Sequence, residues 1–180
     1  MIDKLSQFEL PILDFIQSVF KNAVFDFILP ILSFLVNHGE LWIVLAIVLI
    51  FFKKYRKDGI TLSIALILHL IFVNMLIKPV FSRIRPYELK EGVELLVDKL
   101  SDGSFPSGHT SVCFAATVVL WHMNKKVGIA ALIYSVLVAF SRLYLYVHYP
   151  SDVIFGMLFG VLFGFAAILI SKTFFKAAYK

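Results

Sequence analysis

The chain has 180 residues, enough for one domain, of which 60% are apolar and 16% charged. Soluble domains average about 45–50% apolar and about 25% charged residues, so this composition excludes an ordinary soluble protein and points to a membrane. The net charge of +5 calls for no nucleic acid, because Lys and Arg collect in the cytoplasmic loops of membrane proteins, and no nucleic-acid partner is expected.

Residues 2–20 carry Leu5, Phe8, Ile12, Phe15, Ile16 and Val19 at helical spacing between polar residues, the pattern of a helix lying in the membrane interface. Asp3 and Glu9 interrupt this segment, so it is not expected to be a cleavable signal peptide. A first span is predicted from about Asn22 to Val36, and a turn at Asn37-His38-Gly39-Glu40 leads to a second over Leu41 to Phe52. A third runs from Gly59 to Ile77, a fourth from Thr110 to Met123, a fifth from Val127 toward Val147 and a sixth from Asp152 to Ile170. A full span needs about 20 residues. Several of these runs are shorter, and snorkelling Lys and Arg, tilt or a thinned bilayer would close the gap. In the polar loop from Lys78 to Gly108, Leu89, Val93, Leu96, Val97 and Leu100 form a stripe that predicts a short surface helix over Glu88–Leu100.

Six spans put both termini on one side. That side holds Lys4, Lys21, Lys53, Lys54, Arg56, Lys57, Lys125, Lys126, Lys172, Lys176 and Lys180, eleven cations against six on the other, so it is the expected cytoplasmic side. The outer side gathers His38, Lys78, Arg83, Arg85, Ser107, His109, Arg142, His148 and Asp152. Ionisable groups near membrane depth cost about 2.5–3.5 kcal/mol each on insertion scales, which makes them functional candidates.

These residues fall into three clusters. Pro86 disfavours helix at Arg85, which frees Arg85 to turn toward Lys78; the pair reads either as an anion site or as a basic membrane edge. Pro106-Ser107-Gly108-His109 precedes an apolar helix. Its N–H groups suit a phosphate and His109 suits proton donation, while Ser107 reads equally as an N-cap. Ser141-Arg142 is followed by His148 and Asp152. Arg grips phosphate with paired hydrogen bonds, and a carboxylate beside a His fixes its tautomer and makes it a better nucleophile; Asp152 as a helix cap and His148 as an interfacial residue is the plainer alternative.

Taken together, Lys78-x6-Arg85-Pro86, Pro106-Ser107-Gly108-His109 and Ser141-Arg142-x5-His148-x3-Asp152 resemble the three signature blocks of the type 2 phosphatidic acid phosphatase family, which also includes vanadium haloperoxidases. The resemblance implies that Lys78, Arg85 and Arg142, with the Ser107 hydroxyl and the Gly108 N–H, bind phosphate oxygens. It implies that His148 attacks phosphorus to form a phosphohistidine, Asp152 supports His148, and His109 protonates the leaving group. It implies no metal and no cofactor, and the sequence offers no cluster with convincing metal-ligand spacing.

The remaining residues read plainly. Cys113 is expected to be a small buried apolar residue, His69 a packed or hydrogen-bonded helix residue, and His122 an interfacial one. His38 is within reach of a headgroup without a catalytic role. Asn74, one turn before Lys78, is placed to orient that Lys. Tyr87, Tyr144, Tyr146 and Tyr149 suit an aromatic belt, and Gly156, Gly160 and Gly164 predict close helix packing within the bundle, with a homodimer as the lesser alternative to a monomer.

The expected protein is therefore a single all-α domain over residues 1–180, six transmembrane helices with an N-terminal interfacial helix and a short extracytoplasmic helix in the 87–105 loop. It is expected to be a lipid phosphatase of a prokaryotic inner membrane. Its substrate would be a phospholipid or isoprenoid phosphate, such as undecaprenyl pyrophosphate, phosphatidylglycerophosphate, phosphatidic acid, diacylglycerol pyrophosphate or lipid A 1-phosphate. Phosphotransfer to an acceptor uses the same residues. A transporter would spread polar residues through the spans, which this chain does not.

Overall fold

The structure, a computed structural model, describes residues 2–178, with side chains from 6 to 175. Lys180 lies outside the described residues, as do the side chains of Asp3, Lys4, Leu5 and Lys176. Helices α1 (Ile2–Phe20), α2 (Ala23–Phe34), α3 (Glu40–Phe51) and α4 (Arg56–His69) come first. A π-helical stretch, Leu70–Ile77, continues α4 into the short α5 (Lys78–Phe81). The one-turn α6 (Pro86–Leu89), α7 (Gly108–Met123), α8 (Lys125–Tyr144) and α9 (Pro150–Ala178) complete the fold. No strand occurs among the described residues.

Local signals set the boundaries. Asn22 caps α2 by accepting hydrogen bonds from the N–H groups of Val24 and Phe25, both at 3.0 Å. Asn124 caps α8 in the same way through Lys126 N and Val127 N. Between α2 and α3 the backbone turns at Gly39 with φ +83°, a left-handed conformation that glycine adopts without strain. In the π-helical stretch the helix is wound wider, and the Lys78 N–H bonds the carbonyl of Val73, five residues back. That re-aims Lys78 relative to the face a continuous α-helix would give it.

α7 is the central pillar. Twelve of its residues are buried, from Gly108 to Leu120, and it packs between α4, α8 and α9. The glycine stripe of α9 makes this possible. A Cβ at Gly156 would come within 2.6 Å of the Ser107 carbonyl oxygen, and one at Gly160 within 2.3 Å of the Ser111 carbonyl oxygen. At Gly164 it would meet Val118 Cβ at 2.5 Å. The stripe is thus spent inside the bundle, as expected from its spacing. Cys113 is fully buried, and its Sγ accepts from the Trp42 indole N–H at 3.4 Å.

Around this core the outer surfaces of α2, α3, α4, α8 and α9 expose large apolar side chains such as Phe27, Val44, Ile67, Ile133 and Leu162, which suits a helical protein whose solvent is lipid. Three segments are long and apolar enough to cross a membrane: Arg56–Leu89, Lys125–Tyr144 and Pro150–Phe175. α2 and α3 are apolar but have 12 residues each. α1 exposes Phe8, Ile12, Phe15 and Val19 on one face and buries Ser6, Glu9, Leu13 and Ile16 on the other.

The surface helix predicted over Glu88–Leu100 does not form. Helix is confined to Pro86–Leu89, and residues 90–107 are irregular. Lys90 leaves the helix in an extended conformation (φ −113°, ψ 117°), and Gly92 follows at φ +77°. The residues packed against Tyr87 and Leu145 are then Val93, Leu95, Val97 and Leu100, so the first three follow the alternation of extended chain rather than a helical stripe.

Candidate active site

The three sequence blocks converge at one end of the bundle, because each lies where a helix ends or begins there. Lys78 follows the π-helical stretch, Gly108 opens α7, Arg142 closes α8 and Asp152 lies in the first turn of α9. The backbone ties two blocks directly, since Ser107 N donates to the Asp152 carbonyl at 3.0 Å.

A cavity of about 600 Å³ is lined at this end by Lys78, Arg85, Gly108, His109 and His148. It continues along Ile43, Ala46 and Ile47 of α3 and Leu66, Ile67 and Leu70 of α4 and its extension. The site is therefore cationic at one end and a trough of aliphatic side chains along its length. At the opening of α7, the N–H groups of Gly108 and His109 have no intrahelical partners. The Ser107 hydroxyl caps that helix, accepting from Thr110 N at 3.4 Å and sharing a 2.9 Å hydrogen bond with Thr110 Oγ1.

His148 is fully buried. Its Nδ1 faces Ser104 Oγ at 3.4 Å and Asp152 Oδ2 at 3.5 Å, and Ser104 in turn donates to Asp152 Oδ2 at 2.5 Å. Its Nε2 lies 3.4 Å from Arg85 Nη1. Asp152 thus reaches His148 partly through Ser104. It also accepts from Tyr149 N at 2.9 Å, so capping and support of His148 are both tasks of one carboxylate. Burial, and then the positive charges of Arg85, Arg142 and Lys78, hold the His148 imidazole well below its ordinary pKa. The ring is neutral at neutral pH, and Nε2 is the nitrogen turned away from Ser104 and Asp152.

His109 Nε2 is 3.0 Å from Asn37 Oδ1, in the turn between α2 and α3. Arg142 is fully buried and donates through Nη1 to Ser33 Oγ, while its Nε has no hydrogen-bond partner among the described residues. It lines a second pocket of about 530 Å³, which shares Asn37 and Leu100 with the first. His69 hydrogen-bonds Ser111 Oγ at 3.0 Å, the packed role expected of it. His38 is exposed and pairs with Glu40 at 2.8 Å beside the cavity.

Sequence reasoning assigned no role to five residues. Asp102, in the acidic loop, receives Lys78 Nζ on one oxygen and Arg85 Nη2 at 2.6 Å on the other. Burial alone would push this carboxyl up, but the charges and hydrogen bonds of Lys78 and Arg85 prevail and hold it at about 2. Ser104 and Asn37 touch the two histidines. Arg83, inside the unspecified stretch of the first block, binds Asp152 Oδ1 at 2.6 Å and Glu9 Oε2 at 2.6 Å. The visible signals were a cation two positions before Arg85 and a glutamate on the amphipathic first helix.

The profile of the PAP2 superfamily matches residues 58–176. An undecaprenyl-diphosphatase of Sulfolobus acidocaldarius is 35% identical over 146 residues, 79% of this chain and 70% of that protein. The undecaprenyl-diphosphatase BcrC of Bacillus subtilis is 31% identical over 80% of this chain and 74% of its own length. The crystal structure of Aquifex aeolicus LpxE superposes with a TM-score of 0.76 at 30% identity, covering 89% of this chain and 94% of that one. With the three blocks assembled in a helical membrane fold, the chain belongs to the PAP2 superfamily and is a membrane lipid phosphatase.

Proposed function

We propose that this enzyme cleaves the terminal phosphate from an isoprenoid diphosphate through a phosphohistidine on His148. The observation that carries this reading is the continuity of the cavity, from Lys78, Arg85 and His148 into the aliphatic trough between α3 and α4. A diphosphate fits the cations and a long hydrocarbon chain fits the trough. Two relatives bear the name undecaprenyl-diphosphatase, which supports the isoprenoid over the other lipid phosphates.

In the proposed reaction Lys78, Arg85, Arg142 and the α7 N–H groups hold the phosphate oxygens. His148 Nδ1–H points toward Ser104 and Asp152, so Nε2 carries the lone pair and attacks phosphorus. The bond from phosphorus to the lipid phosphate oxygen breaks, and His109 protonates that oxygen. Water then gives its proton to His109 and attacks the phosphohistidine, releasing inorganic phosphate and restoring both histidines. General acid catalysis accounts for about 10²–10⁴ of the acceleration. The larger share falls to the preorganised cations, whose charge opposes that developing on the phosphoryl oxygens.

We read α3, α4 with its π-helical extension, α7, α8 and α9 as the spans of one domain, with α1 in the interface on the active-site side, where Glu9 and Asp14 meet Arg83, Lys90, Tyr146 and Ser151. The 12-residue α2 meets that same end at both of its own ends, through Tyr144 and Arg142, so the expected first span is not kept. The active site then faces outward and the C-terminus is cytoplasmic, the end at which Lys53, Lys54, Arg56, Lys57, Lys125, Lys126 and Lys172 are exposed. The contacts of Glu9 put α1 on the active-site side instead of the cytoplasmic side expected for the N-terminus. A monomer suits this arrangement, since the glycine stripe is spent within the bundle.

The test is phosphate release in detergent from undecaprenyl diphosphate, phosphatidylglycerophosphate, phosphatidic acid and lipid A. The diphosphate should be the best substrate, His148→Ala should lose several orders of magnitude in turnover, and excess EDTA should leave activity intact. Unchanged release by His148→Ala removes it as nucleophile. A fall in free phosphate matched by a phosphorylated acceptor would make the enzyme a phosphotransferase.

A further inference from the structure

Arg83 is as buried as the phosphate-facing cations, at 5% exposure, but it lies outside the residues that line the cavity. All five of its N–H groups are engaged elsewhere. Nε and Nη2 donate to Ser6 Oγ at 3.2 and 3.1 Å, and Nη2 also donates to Glu9 Oε2 at 2.6 Å. Nη1 donates to Ser151 Oγ at 2.7 Å and to Asp152 Oδ1 at 2.6 Å. The guanidinium plane lies over the Tyr149 ring, 3.9 Å from its centroid. Only Arg has five donors in a fixed fork. Two buried carboxylates share this one cation, so its charge is satisfied without a substrate.

The far end of this network is α1. Glu9 is 6% exposed and belongs to the face of α1 turned away from Phe8, Ile12 and Phe15. Its Oε1 accepts from Ser151 N at 2.6 Å and its Oε2 from Ser151 Oγ at 3.0 Å. Glu9 therefore grips both Arg83 and the first turn of α9, the turn that carries Asp152. With Oδ1 of Asp152 held by Arg83, Oδ2 is left for Tyr149 N, Ser104 and the His148 ring.

We propose that Arg83 and Glu9 are positioning residues of the phosphatase, fixing the Asp152 carboxylate in the orientation that supports His148, so that α1 completes the active site. The proposal rests on the reading of His148 as nucleophile. Neither residue touches the phosphate; both act through Asp152. Charge matters as well as orientation. Without Glu9, the unbalanced Arg83 charge weakens Asp152 as a partner for His148. Without Arg83, Glu9 and Asp152 face each other uncompensated, and their negative charge beside His148 is no longer balanced.

The two losses therefore move His148 in opposite directions. In Glu9→Gln the ring becomes harder to protonate, and the acid limb of the kcat/KM profile moves to lower pH. In Arg83→Gln it becomes easier to protonate, and the limb moves to higher pH. The other charged groups around His148 are Lys78, Arg85, Asp102, His109 and Arg142, all unchanged in both variants. A merely structural contact gives no such opposition.

The experiment measures kcat, KM and the pH profile of full-length protein on a lipid diphosphate, beside thermal melting in detergent and His148→Ala as control. Glu9→Gln is expected to lose about 10–100-fold in kcat, the range that outer-shell changes cause at metal sites, with KM nearly unchanged. Arg83→Lys should not rescue, because an ammonium cannot reach all the acceptors. Wild-type kcat and an unmoved acid limb in Glu9→Gln, with His148→Ala inactive, overturn the proposal and leave the nucleophile intact. A raised KM at constant kcat in Arg83→Gln would instead make Arg83 a phosphate ligand. Activity in His148→Ala overturns the underlying reading itself. Glu9→Gln keeps the shape of the side chain, so it decides the matter even if the Arg83 variants fail to fold.

Discussion

The two ends of this bundle are built from the same residue types with opposite outcomes. At one end Lys53, Lys54, Arg56, Lys57, Lys125, Lys126 and Lys172 are exposed. At the other, Lys78, Arg83, Arg85 and Arg142 are between 1% and 7% exposed. A buried cation needs compensation, because desolvation costs several kcal/mol per ion. Asp102, Asp152 and Glu9 supply it for three of the four. Arg142 makes no salt bridge with any described residue, has a free Nε, and lies against a pocket. The contrast teaches that burial, and how a cation's charge is met, separates chemistry from membrane anchoring; the count of Lys and Arg does not.

The sharpest way to break this comparison is at Arg142. Replacing it with Lys keeps the charge but loses the planar fork. We expect kcat to fall about 10²–10³-fold, the cost of removing one preorganised donor from an active site. Steady-state kinetics on the lipid diphosphate checks this. A loss of less than about threefold would mean that charge alone suffices at that position.

Asp102 offers a smaller and opposite effect. Its carboxylate holds Lys78 and Arg85, the cations a phosphate would bind, and is half exposed. With a pKa held at about 2, below the unfolded value near ~3.9, the contact stabilises the protein above pH ~4. That stability fades only as pH falls toward about 2. No assay pH therefore relieves the competition, and substitution is required. Asp102→Asn should tighten inhibition by orthovanadate about three- to fivefold, the scale of an ion pair worth up to ~1 kcal/mol at an exposed site. Weaker inhibition would mean that Asp102 positions the cations rather than competing with the phosphate for them.

The three signature blocks were legible in the sequence because they consist of residue type and short linear spacing. Lys78, Arg85, Gly108, His109 and His148 do meet at one cavity, and the four-residue glycine period of α9 does mark its contact with α7. What supports them was not legible. Asn37, Asp102 and Ser104 come from a turn and a loop, and Glu9 from a helix more than 140 residues away from the Asp152 turn it grips; only tertiary packing brings such residues together. Arg83 was visible but hidden in an unspecified stretch. The 90–107 segment misled because Val93, Val97 and Leu100 fit a helical stripe as well as the irregular chain that starts at Lys90.

The smallest effect is expected at the opposite end, and it tests whether the comparison is about burial. Lys125 and Lys126 open α8 and are exposed, and Asn124 caps that helix through the N–H groups of Lys126 and Val127 rather than through a lysine side chain. Ala is the best helix former, so Lys125→Ala with Lys126→Ala should leave the fold intact. Exposed charges far from a site act through screened interactions beyond about 10 Å. The double variant should keep kcat and KM within about twofold of wild type per folded molecule. Positive loops also direct membrane orientation, so the same variant can be followed in cells by cysteine labelling of the Lys78–Gly108 loop. Lower activity in purified protein would mean that the exposed end is coupled to the chemistry. Lower activity confined to membranes, with the loop labelled from inside, would assign these lysines to orientation alone.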